Sequence, residues 1–466
     1  MKVRRTWLTV ALLLVTSSFA CAATKNIVVV VADDLGLTLG CYGDRVARTP
    51  HLDQLAAEGT LFTHAFCTTA SCSPSRSVIL TGMFNHANGQ YGLQHGPHHF
   101  STLDRITSLP ARLAKAGYRT ARIGKFHVGP ESVYPFDAEL PGNPRNSVQM
   151  AERCREFVAA DDSRPFFLYF CSTDPHRSGQ TGPPPHEPNL FGNEGNYSGN
   201  VPAKFDPQSI AVPPFLPDTP ACRAELAEYY QSVTRFDEGV GKLVEVLKAA
   251  GHWDDTLVVF LSDNGVPFPG AKTTVYEPGL RLPLIVRNPL SKTRTPQSDA
   301  LVSWVDLVPT ILEFAGAAGD KQLQGRSFLA QLDGRGGKGA DEVYASHTFH
   351  EVTMYYPMRV VRTHKHKLIW NLAHGLEYPS ASDLWHSATW QEALSKGPSS
   401  MYGKRTVAQY LHRPEWELYD LEADPDETKN LAGDSQHAAT LAALKEKLRA
   451  FQERTKDPWL HKWEYE

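Results

Sequence analysis

The sequence, 466 residues long, lacks any apolar run of the ~20 residues that a membrane-spanning helix requires. It also lacks a basic run beyond its first few positions. With 47 Lys+Arg against 51 Asp+Glu the formal charge is -4, so nucleic acid is not an expected partner. Glycine (34) and proline (33) form no tracts, which excludes collagen-like and low-complexity chains. Cysteine is scarce and one-sided: the seven, at 21, 41, 67, 72, 154, 171 and 222, all fall in the first half and form no CxxC pair. Zinc-ribbon and thioredoxin-type sites are thereby excluded. With Cys21 and Cys72 set aside five remain, an odd number, so at least one thiol stays unpaired in a monomer and the chain is no disulfide scaffold. What is present, 41% hydrophobic and 10% aromatic residues, suits one large core or two unequal globular domains.

The first 22 residues stand apart. Lys2, Arg4 and Arg5 precede the apolar run Trp7 to Val15, and small residues end at Ala20-Cys21-Ala22, the order of a cleavable export signal. This predicts a secreted or periplasmic protein without stable membrane insertion. Asn26 to Ala32 is then a continuous β-branched run, as in a strand buried on both faces of a parallel sheet. Thr49-Pro50 opens a helix closed by Gly59. Alternation continues with a helix over 109–116, a strand over 120–123, a helix over 148–159 and a strand over 165–171. The stretch 178–220 is rich in Pro, Gly and Asn and reads as a long functional or surface-wrapping connection. An apolar stripe from Leu226 to Leu247, with Tyr229 and Tyr230 as core residues, predicts a long helix ended by Gly251. Strands over 256–261 and 283–286 follow, and 302–315 continues the pattern. Beyond the Gly-rich 334–339, short strand-like runs at 343–345, 358–362, 367–370 and 417–419 and a helix over 438–451 predict a smaller, largely antiparallel unit. The expected organisation is a signal (1–22), an α/β catalytic domain (23–340) and a C-terminal α+β subdomain (341–466) that contributes to the substrate pocket.

Two acidic pairs sit just after apolar strands: Asp33-Asp34 and Asp263-Asn264. In a parallel sheet both lie at the carboxyl edge, where open α/β folds bind ligands. Carboxylates within ~4 Å repel by roughly 4 kcal/mol per pair at an effective dielectric of 20, and a cation resolves that. The donors are hard oxygens, which favours calcium or magnesium over zinc or copper. Between these pairs lies Ser71-Cys-Ser-Pro-Ser-Arg-Ser-Val-Ile-Leu-Thr-Gly82, in which Ser73 can cap a helix, Pro74 can occupy its first position and Gly82 can end it. Its free amides and Arg76 suit an anion. The residues alone leave Cys72 as either a nucleophile or a buried thiol.

The pattern C-S-P-S-R-x-x-x-L-T-G resembles the signature of the sulfatase family, in which the cysteine is converted to formylglycine (3-oxoalanine) by a formylglycine-generating enzyme. Other segments match in order: Gly124-Lys125-Phe126-His127, Asp174-Pro175-His176, and Lys272 where sulfatases carry a basic sulfate-binding residue. The closer likeness is to the sulfamidase branch, through Tyr91-Gly-Leu93, His98-His-Phe100, 127–136, 263–269, 350–359 and Trp416-Glu-Leu-Tyr419. Lys272 departs from it, since sulfamidases are expected to have arginine there. The resemblance implies an alkaline-phosphatase-like α/β/α sandwich and one calcium held by Asp33, Asp34, Asp263, Asn264 and the modified Cys72. It implies that Arg76 and Lys125 stabilise the hydrated aldehyde, that Lys125 and Lys272 hold sulfuryl oxygens, that His176 protonates the leaving nitrogen, and that His127 helps release sulfate. His350, Glu351 and Arg359 are the candidates to contact the sugar, against a structural network between domains.

The expected reaction is hydrolysis of the N-sulfate of glucosamine in heparan-type glycans, in a monomer or homodimer. An O-sulfatase acting on another sulfated sugar shares the same core. A phosphoesterase of the wider superfamily would carry Ser or Thr at position 72, and a silent glycan-binding protein would keep the thiol.

Overall fold

The computed structural model describes residues 25–464 except 179–190, 294, 318 and 335–338. The expected export signal lies outside the described residues. No helix among the described residues is long and apolar enough to cross a membrane.

Strand β1 (Asn26–Ala32) is buried along its whole length, as its unbroken Ile-Val run demands. It lies inside an eight-stranded sheet with β2 (Thr60–Phe62), β3 (Arg119–Gly124), β4 (Ala138–Leu140), β5 (Phe166–Cys171), β6 (Thr256–Ser262), β7 (Leu284–Arg287) and β8 (Gln297–Ser298), in the order β4-β3-β5-β1-β6-β7-β2-β8. From β4 to β6 every pairing is parallel, and Val29 sits level with Tyr169 on one side and Val259 on the other. The parallel expectation ends at β7, which runs antiparallel to β6 and to β2. Between β6 and β7 the chain holds only the four-residue helix Glu277–Leu280, so it turns back instead of crossing over.

Helices α1 (Pro50–Glu58) and α3 (Ser147–Arg153) pack on the long α4 (Pro220–Ala249), while α2 (Cys72–Thr81) packs on α5 (Leu307–Ala315), giving the outer layers of an alkaline-phosphatase-like α/β/α sandwich. The helix expected over 148–159 forms two segments meeting at Cys154. Helix α4 starts six residues before its apolar stripe because Thr219 caps it through Cys222 N–H, with Pro220 next. Among the described residues, 191–219 contains no helix or strand beyond the 3-10 turn Pro207–Ser209.

The second sheet pairs β9 (Glu342–His347), β10 (Met358–Thr363), β11 (His366–Asn371) and β12 (Trp416–Asp420) antiparallel in chain order. Between β11 and β12 lies the short α6 (Ser382–Trp385), and the last helix, α7 (Ala438–Thr455), covers β10 and β11.

Candidate active site

Because β1, β3, β5 and β6 are parallel, their carboxyl ends open on one edge and their exit loops meet there. β1 delivers Asp33 and Asp34; β6 delivers Asp263 and Asn264. Asp263 N–H donates to the Ala32 carbonyl and Asp34 N–H to Asp263 Oδ1, each at 3.1 Å, which joins the two turns. Tyr229 is more than core filling: its hydroxyl accepts from Gly36 N–H at 3.2 Å and supports the turn after Asp34. β3 ends at Gly124, where φ is 84° and a Cβ would stand 2.0 Å from the Cys171 carbonyl oxygen. That close approach lets Lys125 N–H donate to the same carbonyl (2.8 Å) while its side chain turns to Asp33, 2.5 Å away. The loop after β5 is fixed by the buried Asp174, whose carboxylate binds Arg145 and Arg235, and it carries His176.

Helix α2 begins two residues before the position expected from its proline. Ser71 is the extended N-cap residue, Ser75 N–H donates to its carbonyl (2.9 Å), and Cys72 is the first helical residue. Ser73, expected as the cap, instead accepts from Gln94 N–H at 3.0 Å. Every residue of α2 is buried. Arg76 donates to Asp263 Oδ2 and to the Lys125 carbonyl, both at 2.8 Å, and lies 3.5 Å from Asp33. Cys72 Sγ sits 3.8 Å from Asp34 Oδ1.

Lys272, also buried, donates to Asp34 Oδ2 (2.9 Å), to Asp383 Oδ2 (2.7 Å) and to His176 Nε2 (3.1 Å). His176 Nδ1 donates to the Arg177 carbonyl, which leaves Nε2 as the acceptor facing Lys272. Burial, with Lys272 and Lys125, pushes His176 down to about 4. His127 forms a hydrogen bond with His95, and burial together with Lys125 and His95 holds it well below the ordinary imidazole range. Burial pushes the Cys72 thiol well above its ordinary range, Asp33 and Asp34 add to the rise, and Lys125 and Lys272 oppose it. A thiol so protonated is a poor nucleophile. All six cysteines among the described residues are free.

The donor set fits a hard cation. Cys72 stands within one cluster with Asp34 and His176 and another with Asp33 and Asp263. Asp33 Oδ1 and Asn264 Oδ1 are buried without a hydrogen-bond partner. Burial pushes Asp263 up to about 7; Arg76 opposes the rise, and the neighbouring Asp33 and Asp34 add to it. A cation among these oxygens would satisfy both orphans and relieve the crowding.

The structure brings the three substrate candidates into different roles. His350 is buried, with Nδ1 2.8 Å from the hydroxyl of Ser71, next to Cys72. Glu351 Oε1 accepts from the N–H (2.8 Å) and hydroxyl (2.5 Å) of Ser382, at the start of α6. Arg359 corrects the expectation of a sugar contact: it is fully buried, both Asp457 carboxylate oxygens take its donors (2.5 and 2.9 Å), and the His347 and Met358 carbonyls take the rest. It belongs to the network that anchors the end of α7. Asp383 was not foreseen. A lone acid in a four-residue helix far from every motif has the pattern of an ordinary helix-end residue.

Cavities also lie elsewhere. One of about 640 Å³ is lined by Met83, His86, Tyr91, Lys321 and Lys456 among others, and by none of the clustered carboxylates.

Residues 25–317 match the family model described as Sulfatase, and residues 271–382 match the one described as N-sulphoglucosamine sulphohydrolase, C-terminal. The chain is 42% identical to human N-sulphoglucosamine sulphohydrolase over 94% of this chain and 92% of that protein. It is 30% identical to an ulvan-active sulfatase of Formosa agariphila, over 92% of this chain and 80% of that one. A solved structure of a protein in complex with its substrate D-glucosamine-2-N,6-O-disulfate superposes with TM-score 0.66 at 22% identity, covering 93% of this chain and 98% of the other. The phosphonate monoester hydrolase of Agrobacterium radiobacter also shares the fold, at TM-score 0.66 and 18% identity over 92% and 96%. With a family model covering most of the chain, and a relative at 42% identity aligned nearly end to end, this protein belongs to the sulfatase family.

Proposed function

We propose that the protein is a sulfamidase: it hydrolyses the N-sulfate of glucosamine residues in heparan-type glycans, with Cys72 converted to formylglycine and one calcium held by Asp33, Asp34, Asp263 and Asn264. The observation that carries this reading is the 42% identity to a human N-sulphoglucosamine sulphohydrolase across both the sandwich and the C-terminal unit. The C-terminal unit matters because it supplies Asp383 and the anchors His350 and Glu351 beside the sandwich edge.

The modified residue supplies an oxygen nucleophile in place of a thiol, and calcium supplies charge that polarises a sulfuryl oxygen. The chain's own residues do the remaining work. Arg76 fixes Asp263 and the Lys125 carbonyl, so the start of α2 and the ends of β3 and β6 cannot shift independently. Lys125 binds Asp33 and keeps ammonium donors for an incoming sulfuryl group, while Lys272, whose three N–H groups reach Asp34, Asp383 and His176, adds its positive charge. Lys272 donates to His176 Nε2 at 3.1 Å, so His176 takes its proton from Lys272 and passes it to the leaving nitrogen. His127, neutral beside His95, is the base that assists release of sulfate.

The test is sulfate release by calcium-loaded protein from N-sulfoglucosamine and from N-acetylglucosamine 6-sulfate, after mass spectrometry of the Cys72 peptide. The expected peptide has lost sulfur and two hydrogens and gained oxygen, and sulfate is expected from the first sugar alone. Release only from the second would replace the substrate while keeping the chemistry. An intact thiol with no turnover of either would abandon the enzyme reading.

A further inference from the structure

We propose that Asp383 selects nitrogen over oxygen at the scissile bond, by accepting a hydrogen bond from the sulfamate N–H and afterwards from the released amine. The proposal rests on the sulfamidase reading and deepens it. Asp383 is the one carboxylate of this cluster contributed by the C-terminal unit. Its Oδ2 accepts from Lys272 Nζ at 2.7 Å and lies 3.9 Å from His176 Nε2. Its Oδ1 is buried and has no hydrogen-bond partner, while the side chain as a whole is 16% exposed. An ionised carboxylate can only accept, so the orphan oxygen calls for a donor.

The neighbouring groups make that demand specific. Lys125 and Lys272 are cationic donor groups, suited to the oxygens of a sulfuryl group. Lys272 links the orphan carboxylate to Asp34 and to His176, so an acceptor stands beside the group assigned to the leaving atom. A sulfamate and a sulfate ester carry the same sulfuryl oxygens and differ at the bridging atom: N–H donates, whereas an ester oxygen only accepts. Against Asp383 Oδ1 the ester would set acceptor against acceptor. Glu351 holds Ser382 through two hydrogen bonds, which fixes the residue preceding Asp383. The His-Glu element at 350–351 therefore acts on both sides of the pocket, through Ser71 at the nucleophile and through Ser382 at the selecting carboxylate.

The matched substrates are glucosamine 2-N-sulfate and glucose 2-sulfate, which differ only in the bridging atom. In D383N the amide oxygen is kept by Lys272 and the amide NH2 takes the place of the free acceptor. We expect kcat/KM on the N-sulfate to fall by about 100-fold or more, and that on the O-sulfate to fall by a much smaller factor, since the loss of the Lys272 ion pair is common to both. Inhibition by glucosamine should weaken in the same variant, while inhibition by inorganic sulfate stays as in the parent. Equal losses on both substrates would mean that Asp383 acts only through Lys272, and the proposal would be overturned; an unchanged N-sulfate rate would overturn it too. Should D383N fail to fold, Asp383→Glu retains the charge but displaces the oxygens, and the same ratio is read. Failure of the sulfamidase reading is seen separately, in the parent protein, as preference for the O-sulfate.

Discussion

At the scale of single residues, burial decides roles that residue type leaves open. Arg359 sits in a segment that resembles a sulfamidase element, and its charge suits an acidic sugar, yet Asp457 claims it and Trp459 lies 4.7 Å from its guanidinium. Replacing it by methionine strands a buried carboxylate, with an expected cost of about 3–5 kcal/mol. Urea denaturation should show that loss, while KM of the remaining folded enzyme stays within twofold; a large rise in KM at unchanged stability would restore the sugar contact. His86 offers a second case. It is 5% exposed, bonded through Nε2 to Thr455, and burial pushes it down to about 4 from the ordinary 6.5. Between those values the unfolded chain binds a proton that the folded one refuses, so stability falls as pH drops from 6.5 towards 4. Relative to His86→Gln, the parent should lose about 2 kcal/mol on going from pH 7 to pH 5. Parallel denaturation curves at the two pH values check this, and an unchanged difference between the proteins would refute it. The burial of His86 was not legible beforehand, because an isolated His carries no mark of how deeply it is buried, and for Arg359 the sequence left a sugar contact and a structural network both open. That Cys72, the two acidic pairs, Lys125, His176 and Lys272 gather in one place was legible, since each lies at a strand end or in a segment that carries the family resemblance.

At the scale of elements, periodicity located strands and helices, while local chemistry misplaced some of their ends. Ser73-Pro74 reads as a cap and first turn, but so does Ser71 followed by Cys72, because proline is tolerated anywhere in a first turn whose N–H groups are unpaired. The hydrogen bond from Ser75 N–H to the Ser71 carbonyl and the use of Ser73 by Gln94 settle the choice. The reversal of β7 had no mark in its own residues, since a short buried strand reads alike in either direction. Packing between helices was equally hidden. Gly239 lies inside α4, where alanine ordinarily gains up to about 1 kcal/mol in helix propensity. Here a Cβ would stand 2.1 Å from Ser147 Cβ and 2.8 Å from its backbone carbonyl carbon, in α3. Gly239→Ala should therefore destabilise by about 1–3 kcal/mol, as overpacking of a close helix contact does. A rise in the thermal midpoint of this variant would show that α3 yields at the contact.

At the scale of the whole molecule, the parallel core of the sheet and the C-terminal unit converge on one pocket whose charges set its use. Asp33, Asp34, Asp263 and Asp383 face Arg76, Lys125 and Lys272, so the addition of a dication leaves a net positive pocket that suits an anion. Without the dication the same pocket has an excess of buried carboxylate, and three of its oxygens, on Asp33, Asn264 and Asp383, lack partners. Cation binding to the folded state alone must then raise stability by mass action. The carboxylates come from the ends of β1 and β6, and Arg76 ties both to α2, so the stabilisation should spread across the catalytic sandwich instead of remaining local. Treatment with a calcium-selective chelator is expected to lower the thermal midpoint by several degrees and to abolish sulfate release. Added calcium should restore both, and zinc, a softer ion, should restore neither fully. The Asn264→Ala variant, which removes one neutral donor without changing the charge, should need more calcium to reach the same midpoint. If protein verified metal-free by elemental analysis melts where the calcium-loaded protein does, the oxygen cluster is balanced by its own cations, and Lys125 and Lys272 would have to be reassigned from anion binding to neutralising the carboxylates.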